Sequence, residues 1–461
     1  MAVLAALAGA VVAAAVAAPV VVAALAVILF QIGFLICAAW RVVMVLVSRR
    51  PLPPAAEPPV WPPYSILVAL HDEAEVVSQL IGRLARIDYP EDRLEAFLLL
   101  EAHDQDTIDA ATRADRPAWM KIVVVPPGLP GTKPRALNHG LAKASGDLVT
   151  IFDAEDDPDP FQLREAASRF VADSAGRLAC LQAPLRIRRL HAAPNPTPFL
   201  DRQFAVEYAA LFEVTLPAMT RLGLPFPLGG TSNHFRAEAL RSVGGWDAHN
   251  VTEDADLGIR LWRGGWRQGV LSRPTWETPP GGLEDWLPQR TRWLKGFMQT
   301  WGVHTRNLGG LGWRGVFSLV MTLGAALAAA GLHAVSVAWV TASVMIALAA
   351  GLAPVTPVFA VSVLILGATA AWIHCAIGAR RAGLTYSSAD MVTAPLYWSL
   401  LSLAFVHAVW RLIREPHAWD KTAHRPDAAI GSARSALDDR PPDRLITAGC
   451  LPSCRPPPKR C

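Results

Sequence analysis

The sequence predicts an α/β domain with a mostly parallel sheet, inserted between transmembrane α-helices. Three observations predict it. Long uncharged apolar stretches lie near both ends of the 461 residues, a Pro-rich segment follows the first, and short apolar runs alternate with helical stretches between them. A composition of 52% hydrophobic and 18% charged residues is too apolar for an ordinary soluble globule. The formal net charge of +4 is too mild and too spread out for a nucleic-acid partner.

Between Ala2 and Val47 the only charged side chain is Arg41. A bilayer core of about 30 Å needs about 20 apolar residues in a helix, so this stretch holds one long span or two short ones, with Pro19 as the break. A cleaved signal peptide would show a basic start, a shorter apolar run and a cleavage site, so the segment reads as retained. The Pro-rich "RRPLPPAAEPPVWPP" (49–63) then leaves the membrane. "YSILVAL" (64–70), "FLLL" (97–100), "KIVVV" (121–125) and "LVTIF" (148–152) read as buried parallel strands of a Rossmann-like sheet. Ligands of such sheets sit beyond the carboxyl ends of the strands.

Four apolar stretches follow, near 315–333, 335–352, 358–378 and 391–411, with "GLH" (331–333) and "GLAPVTP" (351–357) as interruptions. They suggest three or four spans. Arg49, Arg50, Arg292, Lys295, Arg306, Arg314, Arg411 and Arg414 direct the middle domain and the C-terminus to the cytoplasm. Four spans satisfy that but strand Arg380 and Arg381 outside; three, with one segment in the interface, avoid the conflict. The resulting domains are 1–47 (one or two transmembrane helices), 48–312 (the α/β domain), 313–413 (three or four helices) and 414–461 (an interfacial motif and a disordered tail). His333, His374 and His407 fall in or near spans, where helix–helix hydrogen bonding accounts for them. The six cysteines match no zinc spacing.

The predicted strand ends are acidic: "HDEAE" (71–75), "EAHDQD" (101–106) and "DAEDDPDP" (153–160). Asp153, Glu155, Asp156 and Asp157 would repel one another in a plain loop, and Mg²⁺ or Mn²⁺ shared with diphosphate oxygens relieves that repulsion. A solvated turn capping the next helix is the competing account. In "NVTEDADLGIRLWRGGW" (250–266), Thr252 stands at an N-cap with Glu253, Asp254 and Asp256 in the first turn, a pattern the helix dipole alone favours. "LPQRTRWLKGFMQT" (287–300) crowds cations ahead of the second apolar region with few nearby carboxylates, as expected if a substrate anion answers them. An amphipathic interfacial helix is the alternative, and it suffices for Lys295, Trp301 and Arg306. No GxxxxGK[ST] element exists, which excludes a P-loop.

On these motifs the chain resembles family 2 glycosyltransferases, in particular the membrane-embedded cellulose-synthase-like branch with its GT-A catalytic domain. The resemblance covers about residues 60–425 and rests on four motifs in order. Asp153-Ala154-Glu155-Asp156 stands at the place of the family's DxD, then "GGTSNHFR" (229–236), Thr252-Glu253-Asp254 at its TED and Gln289-Arg290-Thr291-Arg292-Trp293 at its QxxRW. "DAED", "GGTSNHF" and "EPHAWDKTAH" (415–424) look most like bacterial glycosyltransferases related to glucan synthases and to a phage-adsorption protein (phage-adsorption-protein-B-like).

The resemblance implies a nucleotide-sugar donor, a UDP-sugar by family habit, with its base near Glu73 and near Glu101 or Asp104, where "EAHD" departs from the family's usual DD. Asp153 with Glu155 or Asp156 would hold Mg²⁺ or Mn²⁺. Asp254, beside Glu253 in the catalytic pair, would be the general base of an inverting, β-forming transfer. Gln289 and Arg292 would contact the diphosphate, with Lys133 and Arg135 as weaker phosphate candidates. Trp293 would stack on the acceptor sugar, and Gly230, Thr231 and Asn233 would approach it. The expected protein is a multi-pass enzyme of the bacterial inner membrane with its catalytic domain in the cytoplasm, extending a polysaccharide, processively and with export partners. The alternatives are single addition to a lipid-linked acceptor, and a catalytically silent membrane scaffold or phage-related component.

Overall fold

The four apolar runs become the parallel half of one sheet. In the computed structural model, which describes residues 16–48, 55–188, 199–352 and 355–416, they are β1 (Tyr64–Leu70), β2 (Leu94–Glu101), β3 (Met120–Val125) and β4 (Leu148–Phe152). Tyr64 pairs with Leu94 on one side and Leu148 on the other, and Ala96 with Met120, all in parallel register. Alternate side chains serve opposite faces: Ile66 and Val68 pack in one core cluster with Leu98 and Phe152, whereas Leu67 packs in another with Leu99 and Ile151. Burial on both faces is why these strands read as continuous apolar runs.

Six short strands complete the fold: β5 (Asp157–Pro158), β6 (Leu178–Gln182), β7 (Leu185–Ile187), β8 (Asn233–Arg236), β9 (Arg267–Val270) and β10 (Thr275–Glu277). The main sheet runs β3-β2-β1-β4-β8-β6-β9, and β5-β10-β7 forms a small second sheet. β8 is antiparallel to both β4 and β6. The chain winds outward through β1, β2 and β3 and then returns to the other side of β1 with β4, so the switch point lies between β1 and β4. The acidic strand ends open onto that crevice. Ser232, with left-handed backbone at φ 55°, turns the "GGTSN" segment into β8 and donates its N–H to Ile151 O (2.9 Å).

Seven helices bear on the site: α1 (Pro19–Val47), α2 (Phe199–Ala210), α3 (Glu253–Arg263), α4 (Leu283–Thr305), α5 (Ala325–Ala349), α6 (Val355–Arg381) and α7 (Ser388–Arg414). Among the described residues, four stretches are long and apolar enough to cross a membrane: Pro19–Val47, Gly309–Ala349, Val361–Arg381 and Ser388–Arg414. Pro19 opens α1 after non-helical Ala18, with Val16 and Ala17 helical before it, so the expected break falls at this proline. The expected interruption at 331–333 is corrected: α5 runs through it, and Gly331 brings the helix onto Phe405, whose ring would lie 3.0 Å from an added Cβ. Glycine there serves close helix packing, not a turn. The second interruption is a turn, where Gly351 has φ 63°.

α1 and α6 run side by side in the same direction. Phe34 covers Gly367 near one end, and Arg381 donates to Ser48 Oγ (3.0 Å) and Glu213 O (2.7 Å) at the other. Arg381 therefore meets the catalytic domain, which removes the conflict raised by a fourth C-terminal span. α7 touches that domain at both ends: Asp390 pairs with Arg202 of α2, and the carbonyls of Glu415 and Pro416 accept from Lys295 (3.3 Å) and Gln299 (2.8 Å) of α4. The described residues all belong to one compact unit. Trp419, Lys421, Thr422 and the tail lie outside the described residues.

Candidate active site

A cavity of 1360 Å³ opens at the ends of β1, β2 and β4 and continues between α1, α5 and α6. At its first wall the donor-base candidates divide. Glu73 and Glu101 line it, but Glu101 is engaged by Arg135 through both carboxylate oxygens (2.8 and 2.6 Å), so two residues assigned separately to the donor hold each other. Asp104 caps the helix Gln105–Arg113: Oδ1 accepts from Thr107 N (3.2 Å) and Oδ2 from Asp72 N (2.6 Å). Burial would raise the Asp104 carboxyl, but these hydrogen bonds hold it below its usual range. Ligand atoms of His71, Asp72 and Asp104 lie within 4.8 Å of one another, a grouping the cap explains. His71 and His103 stand edge to face at 5.1 Å beside Glu73 and Glu101.

Past β4, Asp153 and Glu155 face the cavity while Asp156 is turned behind them and fully buried. Asp156 Oδ2 accepts from Asp153 N (2.7 Å) and from the Thr231 hydroxyl, bracing the loop against the "GGTSN" segment. Burial, then the charges of Asp153 and Glu155, push the Asp156 carboxyl well up. A fourth carboxylate joins them: Glu277 at the end of β10 is buried, lines the cavity, and is pushed up by burial and by Asp156, Glu155 and Asp153. Lys133 answers part of this charge, pairing with Asp153 and donating to Gly230 O (2.8 Å). Clustered carboxylate oxygens of this kind are hard donors, a chemically fitting set for Mg²⁺ or Mn²⁺.

The acid pair lies across the cavity at the start of α3. Thr252 occupies the N-cap position but makes no side-chain cap bond. Glu253 is pushed up to about 7 by burial and then by Asp254, against the pull of Lys133 and Arg292; Asp254 is pushed up by burial. Asp254 Oδ1 accepts from Ala255 N (2.7 Å), and Oδ2 lies 3.5 Å from where a Cβ on Gly230 would stand. Asp256 faces away, bound by Arg260 and by His304 Nε2 (2.9 Å), hydrogen bonds that hold it below its usual range despite burial. Asn233, at the start of β8, also turns away: its amide donates back to Gly229 O (2.5 Å) in the preceding segment.

α4 closes the site. Gln289, Arg292 and Trp293 line the cavity, and the charge of Arg292 reaches Glu253 and Asp254. Arg290 has another task. It forks onto Glu207 of α2 (3.0 and 2.7 Å), donates to Tyr397 Oη (3.0 Å), and lies over the rings of Phe204, Trp286 and Trp293 at 4.8, 5.7 and 4.6 Å. A protein carboxylate from α2, rather than a substrate anion, answers this arginine. Gly296 lets α4 seat against the turn before the acid pair: an added Cβ would stand 2.3 Å from Thr252 Oγ1 and 2.5 Å from its Cγ2. Gly296→Ala should therefore displace that turn and lower turnover at least tenfold, more than Gly302→Ala, whose Cβ would meet nothing within 4 Å. Paired rate measurements on the two variants check this.

Sequence reasoning missed Glu277, Glu207, Arg290 and Tyr397. Only Glu277 carried a local signal, an acid at the end of "TWETPP" (275–280), a strand closed by two prolines.

Comparison with known proteins bears on the family and the fold. Residues 148–377 match the model of "Glycosyl transferase family group 2". The chain is 26% identical over 239 residues to a probable glycosyltransferase (YdaM) of Bacillus subtilis, covering 51% of this chain and 55% of the relative. It is 29% identical over 245 residues to the beta-monoglucosyldiacylglycerol synthase of Synechocystis, covering 52% and 48%. It is also 29% identical over 269 residues to the cellulose synthase 1 catalytic subunit [UDP-forming] of Komagataeibacter xylinus, covering 57% and 34%. The chain thus spans a third to about half of these relatives. A mannosyltransferase from Pyrobaculum calidifontis, solved with GDP-Man and Mn²⁺, shares the fold with TM-score 0.51 at 17% identity, covering 83% of this chain and 99% of that one.

Proposed function

We propose that this chain, a membrane protein that carries a family 2 glycosyltransferase domain of GT-A fold, transfers one sugar from a nucleotide-sugar donor to a lipid acceptor delivered from the bilayer. The carrying observation is that one cavity is lined by Asp254 and also by Phe30, Phe34, Leu327 and Leu364. Those walls suit hydrocarbon and offer few partners to the hydroxyls of a glucan. Polysaccharide extension is the second reading, favoured by Trp293 at the cavity and by the cellulose synthase relatives.

Asp254 takes the proton as the acceptor oxygen attacks C1 of the sugar in line; the bond from C1 to the diphosphate breaks, with inversion. Arg292 and Gln289 bind the departing diphosphate, and Lys133 can leave Asp153 for a phosphate oxygen. A divalent cation, with Asp153 and Glu155 as its side-chain holders and Asp156 fixing their loop, would neutralise charge on that leaving group. Glu253, buried beside the base, raises the affinity of the pair for a proton. Parallel α1 and α6 and the basic residues at the domain side favour a catalytic domain in the cytoplasm of a bacterial cell.

The test is transfer by purified protein in nanodiscs with Mg²⁺ or Mn²⁺, screening labelled UDP-sugars and GDP-mannose. A lipid-extractable product of one size supports the reading, and high-mass material would replace it with polymer extension. The pH profile adds a check. Asp254 acts ionised and burial raises its pKa, so kcat/KM should fall on acidification at a pH above the ordinary aspartate range. A profile that falls only within the ordinary aspartate range would count against this base.

A further inference from the structure

We infer that Arg41 forms a phosphate subsite for the acceptor lipid, a phospholipid whose headgroup also carries a free hydroxyl; this deepens the lipid-acceptor reading above and rests on it. Arg41 is the only charge between Ala2 and Val47. It lies about 9 Å of helix rise from the end of α1, where an isolated arginine is costly unless something answers it.

Snorkelling to the outer headgroup layer is the ordinary answer, and the structure disfavours it. Gly33, Phe34, Cys37, Arg41 and Met44 recur at helical spacing and all line the cavity, so Arg41 is on the inward stripe of α1. Among the described residues it has no ion pair or hydrogen bond. On α6, His374 lies close enough to feel the charges of both Arg41 and Arg381, and its Nε2 meets Thr215 Oγ1 at 3.1 Å. Glu207, which also lines the cavity, is occupied by Arg290 and Tyr397. This part of the cavity therefore offers an unanswered guanidinium and a hydroxyl, with hydrocarbon walls on the membrane side and Asp254 lining the same cavity.

A phosphodiester suits the guanidinium fork. With the acyl chains between α1, α5 and α6, a headgroup hydroxyl beyond the phosphate extends toward Asp254. Its oxygen bonds to C1 of the donor sugar, its proton passes to Asp254, and the nucleoside diphosphate departs. Uncharged diacylglycerol would leave Arg41 unanswered.

Native mass spectrometry of the purified full chain, offered phosphatidylglycerol and diacylglycerol at equal mole fraction, tests this without turnover. Wild type should retain phosphatidylglycerol preferentially. Arg41→Gln should weaken that retention about tenfold, and Arg41→Lys should keep most of it. Equal retention by wild type and Arg41→Gln would mean surrounding bilayer lipid only and would overturn the subsite, as would preference of wild type for diacylglycerol. Donor hydrolysis to water, measured in parallel, reports on the transferase reading independently. In transfer assays, Arg41→Gln should raise KM for phosphatidylglycerol about tenfold.

Discussion

Asp254→Asn is expected to lower sugar transfer by about 10²- to 10⁴-fold while the protein still folds and binds donor. The amide preserves shape and can still accept from Ala255 N, the bond that orients the side chain (2.7 Å). It cannot take the acceptor proton. Asp254 is better suited to this task than an exposed aspartate because burial raises its pKa and hence its strength as a base. Removing its charge should also relieve the buried Glu253 beside it, so the variant should melt no lower than wild type. Transfer rate and thermal melting in the same detergent read both effects. Retained turnover would sink the assignment of Asp254, and Glu253→Gln would then be the next variant to measure.

Arg290→Ala should produce the largest loss of stability. The guanidinium joins Glu207 of α2 to Tyr397 of α7 from its position on α4, with three aromatic rings around it. Breaking a buried pair costs about 3–5 kcal/mol, and Glu207 is exposed enough (40% of its side chain) to bring this down to about 2–4 kcal/mol. Tyr397 Oη still donates to Glu207 Oε2 (2.6 Å), which limits the damage. The melting temperature should fall by roughly 5 °C or more. Arg290→Lys keeps the charge but loses the fork, and should fall between. An unchanged melting curve for Arg290→Ala would show that α4 is held by other contacts.

Both predictions depend on a distinction that motif reading blurs. Arg290 and Arg292 stand two positions apart, about 200° around the helix, so they face different surroundings. Both line the cavity, but Arg290 is spent on Glu207 whereas the charge of Arg292 reaches Glu253 and Asp254. The same separation occurs at the strand ends: Glu155 faces the cavity and its neighbour Asp156 braces the loop from behind. Arg135 and Glu101, read as two donor contacts, are one ion pair.

What the sequence by itself determined follows from local pattern. Runs such as "YSILVAL" and "LVTIF" specify buried parallel strands, the acids directly after them mark the crevice, and Pro19–Val47 is long and apolar enough to be read without any contact. Tertiary structure alone decided the rest. β5 to β10 have two to five residues each, too short for a period to register, and their pairing is what brings Glu277 and the "GGTSN" segment to the acids of β4. Only packing chose which charges answer each other, since Glu207, Arg290 and Tyr397 meet across gaps of 83 and 107 residues. A charge's partner is set by distance in space and by the cost of burying it alone, and neither can be read from spacing along the chain.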